Sequence, residues 1–160
     1  MNSLLLNYDP CDLPVGGVDF IEILPTVAIE SMAIPSGLAF VGPLNLVSGW
    51  QWLRVEFVKG TGFFAEKDSE SPQGTVYEKR VGGFFARDNR ATTETLEKMK
   101  RYYWVVRFED GDGRWRLLGS QSQVMRLVSR EYESSTPEKS RGFLIEFVGD
   151  MSRPAFFDER

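Results

Sequence analysis

Apolar and polar side chains alternate with a period of two along most of this chain, a period that predicts strands rather than helices. At residues 18–24, VDFIEIL sets Val18 and Phe20 against Asp19 and Glu22 before Pro25 ends the run. At residues 52–59, WLRVEFVK places Leu53, Val55 and Phe57 on one face and Arg54 and Glu56 on the other. The strongest local signal is YYWVVRFEDGDGRWRLLGS, residues 102–120. There two apolar runs flank Asp110-Gly111-Asp112-Gly113, and both Asp-Gly pairs tolerate the positive φ that tight hairpin turns demand. Residues 124–133 and 143–148 follow as further strands, the second with Phe143, Ile145 and Phe147 facing one way and Leu144, Glu146 and Val148 the other.

The interruptions carry as much information as the runs. Residues 26–49 are apolar but broken by Pro35, Gly37, Gly42 and Pro43, which predicts one or two short strands or a covering loop instead of a helix. The polar stretch EKDSESPQG, residues 66–74, separates FFA from TVYEKRV and predicts a hairpin with a long tip. Gly82 and Gly83 inside VGGFFAR predict a bulge or bend. One helix is expected, at about residues 93–102, capped by Thr92 or Thr93. Its i,i+4 pairs are Glu94 with Lys98 and Glu97 with Arg101, and its stripe is Leu96, Met99 and Tyr103. The fold class that follows is mainly β: an antiparallel β-sandwich, or a strongly curved sheet or barrel, with one short flanking helix. Residues 1–17, with Pro10, Pro14, Gly16 and Gly17, read as an N-terminal arm, and residues 18–157 as a single β-rich domain.

Composition narrows the function. The 160 residues suit one domain with a sizeable core, and 42% hydrophobic with 26% charged residues is the globular norm. Aromatics at 13% suit pleated surfaces and wide interfaces. A net charge of −4 with both signs interspersed gives no general footprint for nucleic acid, so sequence-specific DNA or RNA binding is disfavoured. Cys11 is the only cysteine and has no partner for an internal disulfide, which fits a reducing compartment. The apolar runs fall short of the roughly 20 residues of a membrane span, and the N-terminus lacks a basic n-region, so neither membrane insertion nor secretion is expected.

Candidate chemistry is sparse. With no histidine the commonest general base is missing, and no catalytic residue is assigned. Glu109, Asp110 and Asp112 cluster at a turn, but Phe108 occupies the first position of the EF-hand spacing, so no metal is predicted and the carboxylates read as turn formers. Glu56, Glu78, Glu109, Glu131 and Glu146 on or beside strands read as the solvated faces of sheets, ahead of a carboxylate hydrolase. The Gly60 to Gly62 fragment has neither the helix nor the lysine of a phosphate loop, and no cofactor is expected. Arg107, Arg114, Arg116, Arg126 and Arg130 alternate with Trp104, Trp115 and Tyr132. Cross-strand pairing with Glu109, Glu131 and Glu133 accounts for them better than a single-strand nucleic-acid platform does.

The order of elements resembles that of uncharacterised proteins encoded in phage and prophage structural regions of Bacteroidetes-type bacteria. The resemblance is carried by Asp110, Gly113, Leu117 and Gly119 in a hairpin pattern, and by Gly142, Phe143, Ile145, Phe147 and Gly149 in the strand before a Pro-containing tail. It spans about residues 57–157 and implies a non-enzymatic virion component. Such a tail-tube, terminator or neck protein would assemble as a homo-oligomeric ring with other tail proteins, from the bacterial cytoplasm into the particle. Trp50, Trp52, Trp104, Trp115, Phe156 and Phe157 are the candidate contact residues. The alternative is a ligand-binding β module that stacks carbohydrate on exposed tryptophans. Tryptophans lining one groove would favour that alternative, and tryptophans buried between sheets would favour assembly.

Overall fold

The computed structural model of the chain describes residues 16–87, 89–133 and 141–160. The strands in chain order are β1 (Phe20–Pro25), β2 (Ile29–Met32), β3 (Ala39–Phe40), β4 (Leu44–Leu46), β5 (Leu53–Glu56), β6 (Phe63–Ser71), β7 (Gly74–Phe85), β8 (Trp104–Glu109), β9 (Trp115–Leu118), β10 (Arg126–Glu133), β11 (Gly142–Met151) and β12 (Phe156–Asp158). One 3₁₀ turn at Thr26–Ala28 and one helix, α1 (Arg90–Met99), complete the set.

Three layers result. The middle layer is a six-stranded sheet in the order β3-β12-β9-β8-β1-β5, antiparallel except for the β12 and β3 pair. A four-stranded antiparallel sheet, β10-β11-β7-β6, covers one of its faces, and the small β2-β4 ladder lies on the other. The sandwich expectation holds, and neither large sheet closes into a barrel. Ile21, Ile23, Trp104, Val106, Phe108 and Leu118 of the middle sheet meet Val81, Phe143, Ile145 and Phe147 of the four-stranded sheet, with Leu96 and Met99 of α1 in the same cluster. Leu24, Val105, Leu117 and Phe156 project to the opposite side and pack with Ala28, Ile29 and Phe40. Alternation in β1, β8 and β9 therefore feeds two cores, because these strands are covered on both faces.

The β8-β9 hairpin forms as the DGDG signal predicts, paired from Val106 with Leu118 to Glu109 with Trp115. Its loop is held by Asp110, whose Oδ1 accepts from the N–H groups of Asp112 (3.1 Å) and Arg114 (2.9 Å). Gly113 at φ 77° makes the left-handed step. At the other end of β8, Trp104 and Met125 exchange two backbone hydrogen bonds of 2.9 and 2.8 Å, which stitches the middle sheet to the start of β10.

Four expectations change. The stretch at residues 66–74 is not a long tip: β6 runs through Ser71, and only Pro72 and Gln73 turn the hairpin. Polar residues are tolerated there because both faces of the ribbon meet water. Gly82 and Gly83 make no bulge, since the β7 register stays continuous against both β6 and β11. They are close-approach positions instead, a Cβ on Gly83 falling 2.6 Å from the Phe57 ring and 2.9 Å from Gly62 Cα.

The helix starts about three residues early, because Asn89 is its N-cap and accepts from Thr92 N at 2.8 Å. Glu94 accordingly pairs backward with Arg90 (2.7 Å), and Glu97 meets Lys100 (3.4 Å). Tyr103 lies beyond the helix and is exposed. Finally, the broken region at residues 26–49 holds three short strands and a 3₁₀ turn, more structure than its prolines and glycines suggest. The predicted arm lies outside the described residues except for Gly16 and Gly17, as does the polar loop at residues 134–140.

Gly83→Ala is expected to lower stability by about 1–3 kcal/mol, the usual cost of overpacking a core. In urea the unfolding midpoint should fall while the slope stays unchanged, whereas an unshifted midpoint would mean that Phe57 has room to move.

Candidate functional site

The four candidate tryptophans do not line one groove. Trp104 is buried, its ring 6.2 Å from Phe147, and its Nε1 donates to Met99 O at 3.0 Å, satisfying a terminal carbonyl of α1. Trp52 and Trp115 are half-buried and bracket one side chain: the Arg107 guanidinium lies 4.5 Å from the Trp52 ring and 4.9 Å from the Trp115 ring. Trp50 stands exposed on the segment after β4. Phe156 is buried in the second core, and Phe157 is half-buried beneath the Arg116 guanidinium at 4.0 Å.

The Arg107 stack extends into a ladder on the outer side of the middle sheet. Trp115 meets Phe20 edge to face at 5.8 Å, and Arg54 covers Phe20 at 3.5 Å. Arg107 donates from Nε to Glu22 Oε2 at 2.6 Å and approaches Asp158 at 3.8 Å. Asp158 in turn takes both Nε and Nη2 of Arg160, whose guanidinium lies over Phe40 at 5.0 Å. Cation–π contacts of this kind contribute about 0.5–2 kcal/mol each, more as water is excluded. Period two explains the arrangement: Glu22, Arg107 and Asp158 share the face of Leu24, Val105 and Phe156, just beyond the small ladder that covers those residues. The guanidinium occupies one face of each tryptophan, so a sugar ring would have to displace it to stack there.

A lysine missing from the sequence-based candidates lies inside the sandwich. Lys79 is fully buried on β7, its Nζ has no hydrogen-bond partner, and the nearest carboxylate oxygen, Glu66 Oε2, is 3.9 Å away. The Phe156 ring lies 5.6 Å from Nζ. Burial lowers the Lys79 pKa to about 8, with the Glu66 carboxylate pulling weakly the other way. Glu66 also accepts from Ala155 N at 2.7 Å, so it fixes the segment that leads from β11 into β12. One signal was available: Lys79 is two residues from the inward-facing Val81, so strict alternation already points it inside.

Two surface features remain. A cleft of about 570 Å³ opens beside the start of β1, lined by Gly16, Asp19, Phe20, Lys59, Glu109 and Asp110 among others. Its Asp110 is already engaged as the turn former described above. Between the middle of β2 and the start of β5, residues 31–53 include no charged side chain. This stretch leaves Ile34 (89%), Val41 (62%), Leu38 (51%) and Trp50 (44%) open to solvent. Among the described residues no helix is long and apolar enough to cross a membrane. No protein-family model, no curated protein and no solved structure matches this chain.

The Lys79 site gives a signed pH dependence. Its folded pKa of about 8 lies below the ordinary 10.5, so the unfolded chain binds more protons between those values and stability rises with pH across that window. Below it the cost is constant, on the order of 3 kcal/mol at ~1.4 kcal/mol per pH unit. Lys79→Met is expected to raise the Tm at pH 7, since a flexible apolar side chain replaces a buried cation that makes no hydrogen bond and has only the long contact with Glu66. The advantage should shrink toward pH 10. A variant less stable than wild type at pH 7 would show that the ammonium is a net stabiliser.

Proposed function

We propose that this chain is a structural assembly protein that works by contact with other copies of itself. The observation that carries this reading is the uncharged stretch at residues 31–53, which displays Ile34, Leu38 and Val41 at its outer loop. The average surface of this chain is charged and mixed, and a contiguous exposed apolar patch on such a surface marks a contact site. The backbone brings these side chains together: Ala33 N donates to Pro43 O, and Ser36 and Ala39 close a tight turn between them.

The edges of the four-stranded sheet are poorer candidates. β6 carries Glu66, Lys67, Asp68 and Glu70 along its free side, and β10 shifts register between Leu127 and Ser129. Charges and irregularities of these kinds discourage edge-to-edge pairing. The reading therefore places the contact on the small outer layer, and β-augmentation between protomers is not required. Resemblance to phage structural-region proteins supports a narrower form of the same reading, a ring component of a tail or neck that meets other tail proteins in a virion. That narrower form rests on the sequence motifs alone.

Magnitudes set what such a contact needs. Fully burying Ile34, Leu38 and Val41 would contribute about 1.5–3 kcal/mol apiece, against an association cost of ~4–15 kcal/mol. The loop alone supports a weak contact, and a stable ring needs further area.

Sedimentation across a hundredfold concentration range tests the reading. The wild type is expected to form species larger than a monomer, and Ile34→Lys combined with Leu38→Lys should be monomeric with an unchanged Tm, because both side chains are exposed. A wild type that stays monomeric at the highest concentration overturns it.

A further inference from the structure

We propose that β5, an edge of the six-stranded sheet, pairs antiparallel with β5 of a second copy about a two-fold axis at Val55. The contact lies apart from the exposed loop at residues 34–41. It rests on the assembly reading above and supplies the further area that this reading needs.

The backbone shows which groups are free. β5 pairs with β1 on one side, from Phe20 with Glu56 to Ile23 with Leu53, and no described strand lies on its other side. One step further in the same register, Phe57 N donates to Asp19 O at 2.9 Å. Successive residues of an antiparallel strand turn their N–H and C=O groups to opposite sides. Leu53 and Val55 therefore face β1 as Phe57 does, and Arg54 and Glu56 direct both groups outward. Val58 continues the alternation, sending its N–H to Phe84 O of β7 at 2.8 Å. A groove of about 380 Å³ runs along this edge, between Arg54 and Glu56 on one side and Phe85, Ala86 and Arg87 on the other.

Charge then selects a second copy, in one register. Two β5 strands that cross at Val55 set Arg54 of each copy opposite Glu56 of the partner subunit, and every outward N–H meets an outward C=O. Sliding one strand by two residues either way sets Arg54 against Arg54 or Glu56 against Glu56, which is destabilising. Sliding it by one turns the outward groups toward groups that already serve β1. Both side chains are exposed, and they attract each other within one chain at 3.2 Å. On the other face Leu53, 44% exposed, comes opposite Phe57 of the partner subunit, and the half-buried Val55 meets its own copy. The edge strand β6 lacks this balance, with Glu66, Asp68 and Glu70 against Lys67.

Hydrogen bonds between groups that water otherwise satisfies add little each, so the edge contact is weak by itself. β5 and β3 are opposite ends of the sheet, and one chain can make the edge contact and the loop contact at once.

Single cysteines in a Cys11→Ser background test the register in the full-length protein. Val55 meets its copy in a non-hydrogen-bonded pair, whose Cα separation of about 4.5 Å suits a disulfide. Leu53 lies about 13 Å along the strand from its own copy. Under mild oxidation Val55→Cys is expected to form a linked dimer about tenfold faster than Leu53→Cys, although Leu53 is the more exposed. Adding Glu56→Arg should slow the Val55→Cys link about tenfold. Adding Arg54→Glu as well should restore it, since the exchanged charges are again opposite.

A Val55→Cys link no faster than that of Leu53→Cys, while the wild type still sediments as oligomers, overturns the proposal and leaves the assembly reading standing. So does a link that Glu56→Arg does not slow. Sedimentation of the wild type as a strict monomer, with no Val55→Cys dimer, removes both.

Discussion

Burial of β8 on both faces is the constraint on which the rest of the molecule depends. Trp104, Val106 and Phe108 fill the core beneath the four-stranded sheet, while Val105 belongs to the core beneath β2 and β4. A strand covered on both sides must read as a continuous apolar run, and WVV is one. The same strand carries the link between sheets, because the backbone of Trp104 pairs with Met125 and its indole closes the end of α1. Removing the Trp104 ring would therefore disturb a core, a helix terminus and the join between two sheets together.

The C-terminal strand is held by polar groups at the margins of these cores. Glu66 reaches from β6 to the backbone at Ala155, and Arg107 and Arg160 converge on Asp158. Between them Phe156 and Phe157 are placed, one in the core and one under Arg116. Lys79 is the weak point of this arrangement: its side chain fills space beside Phe156, yet its ammonium lacks a partner that compensates for lost hydration. Stability and anchoring are thus coupled at the corner where the chain crosses from one sheet to the other.

The outer surface divides by chemistry. One side carries the ribbon of β6 and β7, where charged side chains of both signs on β6 discourage pairing at its free edge. The other carries the uncharged stretch of residues 31–53, where Ile34, Leu38 and Val41 are exposed. The Arg107 ladder keeps its aromatic rings occupied by guanidinium groups. This division favours contact through the small layer over ligand stacking on tryptophan.

The sequence by itself determined the strands of the middle and end of the chain, the DGDG hairpin and the presence of one helix, because period two and turn chemistry act over a few residues. Asp110 reads as a turn former from spacing alone, and the structure uses it so. Other features depended on what crosses from another layer. Gly82 and Gly83 look like a bulge until Phe57 and Gly62 are seen against them. Phe156 and Phe157 read as contact residues near the end of the chain, and the pairing of β12 with β9 and β3 is what docks them on the domain. Trp52, Trp115 and Arg107 come from three separate elements, so no local pattern could predict their stack. Alternation from Val81 points Lys79 inward, but its full burial beside Phe156, from the far end of the chain, is a matter of long-range packing. Local periodicity specifies which face a side chain takes, while the chain segment that covers that face is decided by long-range pairing.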